Sequence, residues 1–402
     1  MAQTTDEVRT IETEAVPNRF ARGWHCIGLE RGFRDGKPHT VTAFGRKLVV
    51  WADSRGDLKV LDAYCRHMGG DLSRGTVKGD EVACPFHDWR WGGDGRCKQI
   101  PYARRVPLRA RTQAWPTMVQ DGMLFLWNDP EGNPPPADVT IPRIEAVGSD
   151  KYTDWLWYTT VIEGSNCREI VDNVVDMAHF FYIHYAFPTY FKNIFEGHVA
   201  TQYMNGEGRE DVRPTKPGAG PVVLGQTSVA SYHGPSFMID DLIYHYEDLD
   251  DVRTVLINCH YPVDENSFVL MYGISLQRPE VAEDDPAEAE ALAQKMVQTV
   301  RLGFEQDVAI WRNKTRIDNP LLCEEDGPVY QLRRWYEQFY VDVADVTPEM
   351  TERFEFEIDT TKPNEAWRRE VEENMRVRQQ MMQRAAGQQN AETVEQSETT
   401  GV

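Results

Sequence analysis

Two short stretches in the N-terminal third of the chain indicate a metal-binding domain. Residues 65–72 are C-R-H-M-G-G-D-L, and residues 84–91 are C-P-F-H-D-W-R-W. Glycine pairs and proline at such positions are typical of tight turns between short strands. Each stretch supplies one cysteine and one histidine, and the four candidate ligands are Cys65, His67, Cys84 and His87. We therefore expect two loops that clamp a metal group between them.

Two metal chemistries use such a set. Zinc takes two cysteines and two histidines tetrahedrally. A Rieske-type [2Fe–2S] cluster takes two thiolates on one iron and two imidazoles on the other. Zinc fingers more often pair like ligands, whereas each loop here mixes them, so the order favours the two-iron cluster. Cys97 lies close in sequence, and we interpret it as a packing residue.

The segments outward from these loops predict the domain organisation. Short apolar or alternating runs such as TVTAFGRKLVVWAD and GMLFLWND are separated by turn residues, which predicts an all-β domain. A Pro-rich stretch, PEGNPPPADVTIP, predicts a linker after it. Alternating segments and helical patterns follow, so the second domain is predicted to be α+β. The predicted divisions are a flexible segment at 1–17, the β domain at 18–135, the second domain at 136–375, and a helix end with a flexible tail at 376–402.

A second group of metal-binding residue types lies in the segment D-N-V-V-D-M-A-H-F-F-Y-I-H, residues 172–184. His179 and His184 are five positions apart, about 140° around an ideal helix. They can share one metal only if the helix ends, bends or bulges between them. Asp176 precedes His179 by three positions and is expected beside it, where a carboxylate would orient the imidazole. Two unrelated histidines on a regular helix are the alternative.

A carboxylate would complete a two-histidine, one-carboxylate site for O₂-activating iron. The segment G-F-E-Q-D-V-A-I-W-R-N-K places Phe304, Asp307 and Trp311 on one helix face. An aspartate between two aromatic residues is costly to bury unless it is paired or metal-bound. A salt bridge from Asp307 to an arginine is the alternative, and Glu305 is the alternative ligand.

Taken together, these motifs resemble the α-subunits of Rieske non-haem iron oxygenases, over about residues 17–375. The resemblance implies that Cys65 and Cys84 bind one iron of the cluster and that His67 and His87 bind the other. It also implies a helix-grip (START-like) catalytic domain, in which a central antiparallel sheet encloses a pocket.

The same resemblance assigns the second metal. It implies a mononuclear iron on His179, His184 and Asp307. It further implies a head-to-tail homotrimer, in which Asp176 hydrogen-bonds His179 and reaches His87 of the partner subunit as the electron bridge between the two centres.

The sequences of several motifs are similar to those in the oxygenase components of 3-ketosteroid 9α-hydroxylases. Among these motifs are Y-H-G-P-S-F-M and Q-D-V-A-I-W-R-N-K. This implies C9 monooxygenation of an androstenedione-like or CoA-linked steroid in steroid (cholesterol) degradation, with O₂ and a separate NADH-dependent flavin/iron–sulfur reductase. A flat apolar ligand needs a mostly apolar pocket with few polar groups. The expected lining residues, for each of which ordinary packing is the alternative, are Val174, Gln202, Tyr232, Met238, Asn258, Phe304 and Trp311.

The composition excludes some classes of binding partner. A net charge of −21 argues against nucleic acid and against an anionic membrane surface. The sequence has no signal peptide and no apolar run long enough for a membrane span, so we expect a cytoplasmic enzyme. Seven scattered cysteines indicate free thiols and a metal site rather than a disulfide framework. Three other classes stay open: a Rieske demethylase or aromatic hydroxylase, a pure electron carrier, and a structural zinc protein.

Overall fold

The computed structural model of the protein describes residues 11–12, 19–213, 221–279 and 286–399. The flexible segment predicted at 1–17 lies almost entirely outside these residues. The N-terminal third is all-β, as its short alternating runs predict. Its strands are β1 (Gly23–Leu29), β2 (His39–Ala43), β3 (Arg46–Ala52), β4 (Leu58–Asp62), β5 (Thr76–Lys78), β6 (Glu81–Ala83), β7 (Arg90–Trp91), β8 (Cys97–Gln99), β9 (Ala114–Trp115), β10 (Thr117–Gln120) and β11 (Met123–Asn128).

These strands form three small antiparallel sheets, in the orders β2-β3-β4-β9, β1-β11-β10 and β5-β6-β7-β8. β11 reads MLFLWN and is buried at every position, because neighbouring elements cover both of its faces. The first cysteine–histidine stretch follows β4, and the second lies between β6 and β7. The sheets therefore bring the two candidate ligand loops together.

A large sheet dominates the rest of the chain. All its pairings are antiparallel, in the order β12-β18-β17-β16-β15-β14-β13-β19. Its strands are β12 (Leu156–Glu163), β13 (Ala186–Glu196), β14 (Val199–Gly208), β15 (Val223–His233), β16 (Phe237–Tyr246), β17 (Val252–Asp264), β18 (Ser267–Leu276) and β19 (Phe354–Glu357).

The helices are α1 (Arg168–Val171), α2 (Ala178–Tyr182), α3 (Pro286–Trp311), α4 (Val329–Glu337), α5 (Pro348–Thr351) and α6 (Thr361–Thr399). Short 3₁₀ turns lie at Glu30–Phe33, Leu72–Arg74, Asp172–Val175, Glu210–Val212 and Val343–Asp345. Helix α3 buries one face against the large sheet, and the spacing of its buried residues follows the helical repeat. These residues are Ala293, Met296, Val297, Phe304, Val308 and Trp311.

The two faces of the large sheet have different neighbours. On one face, Phe237, Ile257 and Cys259 pack with Cys26 and Phe125 of the N-terminal β domain. The other face packs with α3 and α4 in a separate core. The observed architecture confirms the α+β fold class. Among the described helices, none combines the length and apolar character needed to cross a membrane.

Three elements differ from the sequence-based expectation. Strand β13 was not predicted, because Pro188 interrupts its pattern; the structure accommodates this proline at a bulge opposite β14. The helical pattern of the sequence predicts a helix from about Pro286 to Lys314, and helix α3 ends three residues earlier, at Trp311. Helix α6 runs to Thr399 through the stretch after Gly387 that was predicted to be flexible. That stretch contains three Gln and three Glu residues, which favour helix enough to outweigh one glycine.

Candidate metal centres

The first centre is a cradle made by two tight turns. After β4, the Gly69 N–H donates to the Cys65 carbonyl at 2.9 Å, and the Cys65 N–H donates to the Gly70 carbonyl at 2.8 Å. In the second turn, the Asp88 N–H donates to the Cys84 carbonyl at 2.9 Å. Gly69 has φ +75°, a conformation that glycine adopts without strain. Backbone hydrogen bonds therefore fix the positions of both cysteines.

Both thiols of the cradle are buried, and they lie close to each other. Burial, together with the neighbouring Cys84, raises the pKa of the Cys65 thiol. The Trp91 indole N–H donates to the Cys65 Sγ at 3.3 Å. A side-chain carbon added at Gly70 would lie 2.7 Å from the Cys84 Sγ, so glycine is required there for the loops to approach. Thiolates in this position need a bound cation to offset their burial.

The two histidines of the cradle lie nearer the surface. The His67 and His87 rings are 4.8 Å apart between centroids, and His67 stacks on Trp89 at 4.4 Å. The Nδ1 of His87 is buried and has no hydrogen-bond partner. A buried ring nitrogen without a protein partner fits an atom that faces a metal. The two thiols and two imidazoles thus fit the Rieske cluster that the sequence predicts.

The second centre has the geometry of a single-ion site. Across the described part of the chain, the set of metal-binding side chains whose donor atoms all lie within 4.8 Å of one another is His179, His184 and Asp307. The Nε2 of His184 lies 3.1 Å from an Asp307 carboxylate oxygen. The predicted condition for sharing a metal holds, because α2 ends at Tyr182, between the two histidines.

Asp176 contacts His179 differently from the expectation. The nearest carboxylate oxygen is 3.9 Å from the His179 Nδ1, too far for a hydrogen bond. Instead Nδ1 lies 2.5 Å from the main-chain carbonyl of Asp176, and the carboxylate accepts from the His179 backbone N–H at 3.2 Å. The carbonyl thus requires a proton on Nδ1, which leaves Nε2 free for a metal. Burial lowers the pKa of His179, which keeps the ring neutral, as a ligand must be.

Asp307 projects from α3 and is 7 % exposed. Its ion-pair partner is His184, and the arginine contact that was the alternative is not seen among the described residues. Glu305 instead accepts from Arg301 and from the Tyr272 hydroxyl, so it lies outside this group. The Trp311 indole N–H donates to the Asn173 side-chain oxygen at 3.3 Å, which ties α3 to the segment that carries the histidines.

The second centre opens on a cavity of about 590 Å³ between the large sheet and α3. The cavity is the size of a small-molecule site, with a mainly apolar wall. All three candidate ligands lie on its wall, together with every residue that was predicted to line the pocket: Val174, Gln202, Tyr232, Met238, Asn258, Phe304 and Trp311.

Sequence reasoning missed several lining residues on the sheet. Asp240, Leu242, Tyr244 and Tyr246 of β16 line the same cavity as Met238. The strand reads F-M-I-D-D-L-I-Y-H-Y, and side chains two positions apart share a face. The alternation starting at Met238 was therefore the signal that could have identified them.

Comparisons with known proteins agree with this arrangement. Residues 23–114 match the model of the Rieske [2Fe-2S] domain, and residues 126–340 match the model described as the 3-ketosteroid 9alpha-hydroxylase C-terminal domain. The chain is similar to a Rhodococcus rhodochrous 3-ketosteroid-9-alpha-monooxygenase oxygenase component, with 67% identity over 92% of each chain. It is also similar to the Mycobacterium tuberculosis protein of that name, with 60% identity over 92% of this chain and 95% of the relative.

Solved structures share the fold at low identity. Dicamba monooxygenase in its apo form matches with a TM-score of 0.60 and 20% identity, over 81% of this chain and 98% of that one. Pseudomonas putida CBB5 NdmA with caffeine matches with a TM-score of 0.61 and 17% identity, over 84% and 96%.

Proposed function

This chain belongs to the Rieske non-haem iron oxygenases and, within them, to the oxygenase components of 3-ketosteroid 9α-monooxygenase, and from that premise we propose that it hydroxylates C9 of a 3-ketosteroid. The substrate is androstenedione-like or carries a CoA-linked side chain. The observation that carries the proposal is the meeting of His179, His184 and Asp307 on a mostly apolar cavity, in a chain that also has a Rieske domain.

The residues that would hold the two metal groups follow from the geometry of their donor atoms. Cys65 and Cys84 would hold one iron of the [2Fe–2S] cluster, with His67 and His87 on the other. His179, His184 and Asp307 would hold the mononuclear iron. When bound, the cluster supplies single electrons and the mononuclear iron supplies the activation of O₂.

The chain's own groups prepare the second centre for this chemistry. The Asp176 carbonyl fixes the tautomer of His179, and the Trp311–Asn173 hydrogen bond holds α3 against the ligand segment. The Asn193 side-chain amide donates to the Val174 carbonyl at 2.7 Å, so β13 supports the same segment. Phe304 and Trp311 cover the wall of the cavity beside Asp307, where an apolar substrate would exclude water.

Electron delivery needs a separate reductase, because the chain is the oxygenase component. We propose that this reductase uses NADH and carries flavin and an iron–sulfur cluster.

We also propose a head-to-tail homotrimer, in which Asp176 bridges to His87 of the partner subunit. The Asp176 side chain is 51% exposed, so its carboxylate is accessible to a partner. None of the seven cysteines, all within the described residues, forms a disulfide bond, and we propose that the protein works in the cytoplasm.

Product analysis tests the proposed reaction. The purified chain is incubated with 4-androstene-3,17-dione, O₂, NADH and a reductase of this kind, with the Asp307→Ala protein as the matched control. The expected product carries one added oxygen, which NMR should locate at C9, with one NADH consumed per product. A substrate that is left unchanged while an aryl methyl ether or a methylamine is demethylated would instead identify a Rieske demethylase.

A further inference from the structure

A row of directly paired residues crosses the cavity face of the large sheet. Gln202 on β14 pairs with Ala230 on β15, Ala230 pairs with Asp240 on β16, and Asp240 pairs with Leu256 on β17. All four residues line the cavity. Directly paired side chains point to the same face of a sheet. The methyl group of Ala230 therefore leaves a notch, flanked by the amide of Gln202 and the carboxyl group of Asp240.

Asp240 is buried without a cation. Its side chain accepts from the Ser228 hydroxyl at 2.7 Å on one carboxyl oxygen, and no ion pair to Asp240 occurs within the described ranges. The residue is 9 % exposed, and it lines the cavity, so its second oxygen is available there. Burial raises the pKa of Asp240 to about 7. A carboxyl group in this state is a neutral acid at lower pH, and its O–H is a hydrogen-bond donor.

Burial is the main cause of the raised pKa of Asp240. Its own strand contributes a like charge at Asp241, which also raises the pKa, whereas the hydrogen bond from Ser228 lowers it by less than burial raises it. On β17, its neighbours Leu256 and Asn258 carry no charge. The other titratable or charged groups on the cavity wall are His179, His184, Tyr185, Glu207, Arg209, Arg213, Tyr232, Tyr244, Tyr246, Lys295 and Asp307.

Gln202 supplies the second donor. It is 3 % exposed, and its side-chain amide has no protein hydrogen-bond partner in the part of the chain that the structure describes. The amide lines the cavity, so a ligand oxygen in the notch can accept a hydrogen bond from it. A ketone oxygen accepts two hydrogen bonds and donates none, which matches one amide N–H and one acid O–H.

We propose that Asp240 and Gln202 form a subsite over Ala230 that donates two hydrogen bonds to one ketone oxygen of the substrate. The subsite rests on the proposed function and deepens it, because it names the two side chains that recognise the ketone. It selects substrates with an acceptor oxygen at the inner wall of the cavity over analogues that lack it. Ser228 is a positioning residue, since its hydrogen bond orients the carboxyl group.

Equilibrium dialysis of the metal-loaded protein tests the subsite without turnover. The ligands are 4-androstene-3,17-dione and its 3-deoxy and 17-deoxy analogues, at pH 6 and pH 8.5. For the wild type, removal of one of the two ketones should weaken binding about tenfold, the effect of one or two lost neutral hydrogen bonds. Asp240→Leu should abolish this discrimination, whereas Asp240→Asn, which keeps a donor, should retain it. Wild-type binding of the diketone should weaken at pH 8.5, and binding by Asp240→Asn should not change.

Matched variants keep the test decisive. Asp241→Asn, on the next position and the opposite face, should keep the wild-type discrimination between the ketones at pH 6; since it removes a like charge that helps raise the pKa of Asp240, the weakening of diketone binding should begin at a lower pH than in the wild type. Gln202→Leu should lose the same discrimination, which tests the subsite from β14 if Asp240→Leu does not fold. A wild-type ratio of affinities in both Leu variants would overturn the subsite alone. If the wild type binds no ketosteroid at all, the proposed function and the subsite both fall.

Discussion

The two candidate metal centres are built in opposite ways. The cluster cradle consists of two neighbouring turns, with its ligands between Cys65 and His87, and its imidazoles lie near the surface. The mononuclear site joins a broken helical segment to the distant helix α3 and opens inward on a cavity. A site that receives electrons needs rigidly held ligands near the protein surface. A substrate site instead needs structural elements that lie far enough apart to enclose a cavity. Variants that affect one centre and not the other test this difference.

The largest effect is expected for Asp307→Ala, which removes the carboxylate of the inner site. Hydroxylation should fall by more than the 10–100-fold that is typical for losing an outer partner of a metal ligand. The cluster's visible absorbance should be unchanged, because the cradle shares no residue with the site. Glu305→Gln is the control, since Glu305 contacts Arg301 and Tyr272 instead. Retained hydroxylation in Asp307→Ala would remove this residue from the site.

Cys84→Ser addresses the outer centre in the same way. The protein should lose its cluster colour and its low-temperature EPR signal after reduction, while iron analysis still finds the mononuclear ion. Cys97→Ser is the matched control, because Cys97 is also buried in this domain but is interpreted as packing. A brown Cys84→Ser protein would refute the ligand assignment.

A smaller effect is expected for Gly70→Ala. The added carbon would lie 2.7 Å from the Cys84 Sγ, so the two turns must separate, and cluster content should fall without being abolished. The ratio of cluster absorbance to protein measures this. Gly32→Ala is the control, since nothing lies within 4 Å of its added carbon. Full cluster content in Gly70→Ala would show that the close approach is not required.

The smallest effect concerns the boundary between the two regions, where His25 and His260 are buried. Burial lowers the pKa of His25 to about 4 and that of His260 to about 3. The unfolded chain then binds protons that the folded chain does not, so stability should be lost as pH falls below about 6.5. Between pH 6.5 and 4.5 each histidine should contribute about 2 kcal/mol to this loss.

Urea unfolding followed by circular dichroism, at both pH values, measures this contribution. His260→Gln should reduce the difference between the two unfolding free energies by the share of one histidine. If the variant and the wild type lose the same free energy between the two pH values, His260 titrates normally in the folded state.

The sequence predicted the outer centre better than the inner one for a physical reason. All four cradle ligands lie in one short stretch, where spacing and turn residues carry the information. His179, His184 and Asp307 could be proposed as ligands, but whether the helix breaks between the histidines depends on tertiary packing. The contact of His179 with the Asp176 carbonyl, rather than its carboxylate, likewise depends on the local backbone. Sequence reasoning did not identify Asp240, because an aspartate in a strand is normally expected to be exposed. Its hydrogen-bond partner, Ser228, lies on another strand, so the sequence around Asp240 gives no sign that it is buried.

The alternation along β16 has a consequence for how substrate range can change. Met238, Asp240, Leu242, Tyr244 and Tyr246 line the cavity, whereas Phe237 and Ile239, on either side of Met238, pack against the other domain. Changes at these even-numbered positions can therefore reshape the chamber while Phe237 and Ile239 keep the two halves of the molecule joined. A library confined to this one strand would separate changes in selectivity from changes in assembly.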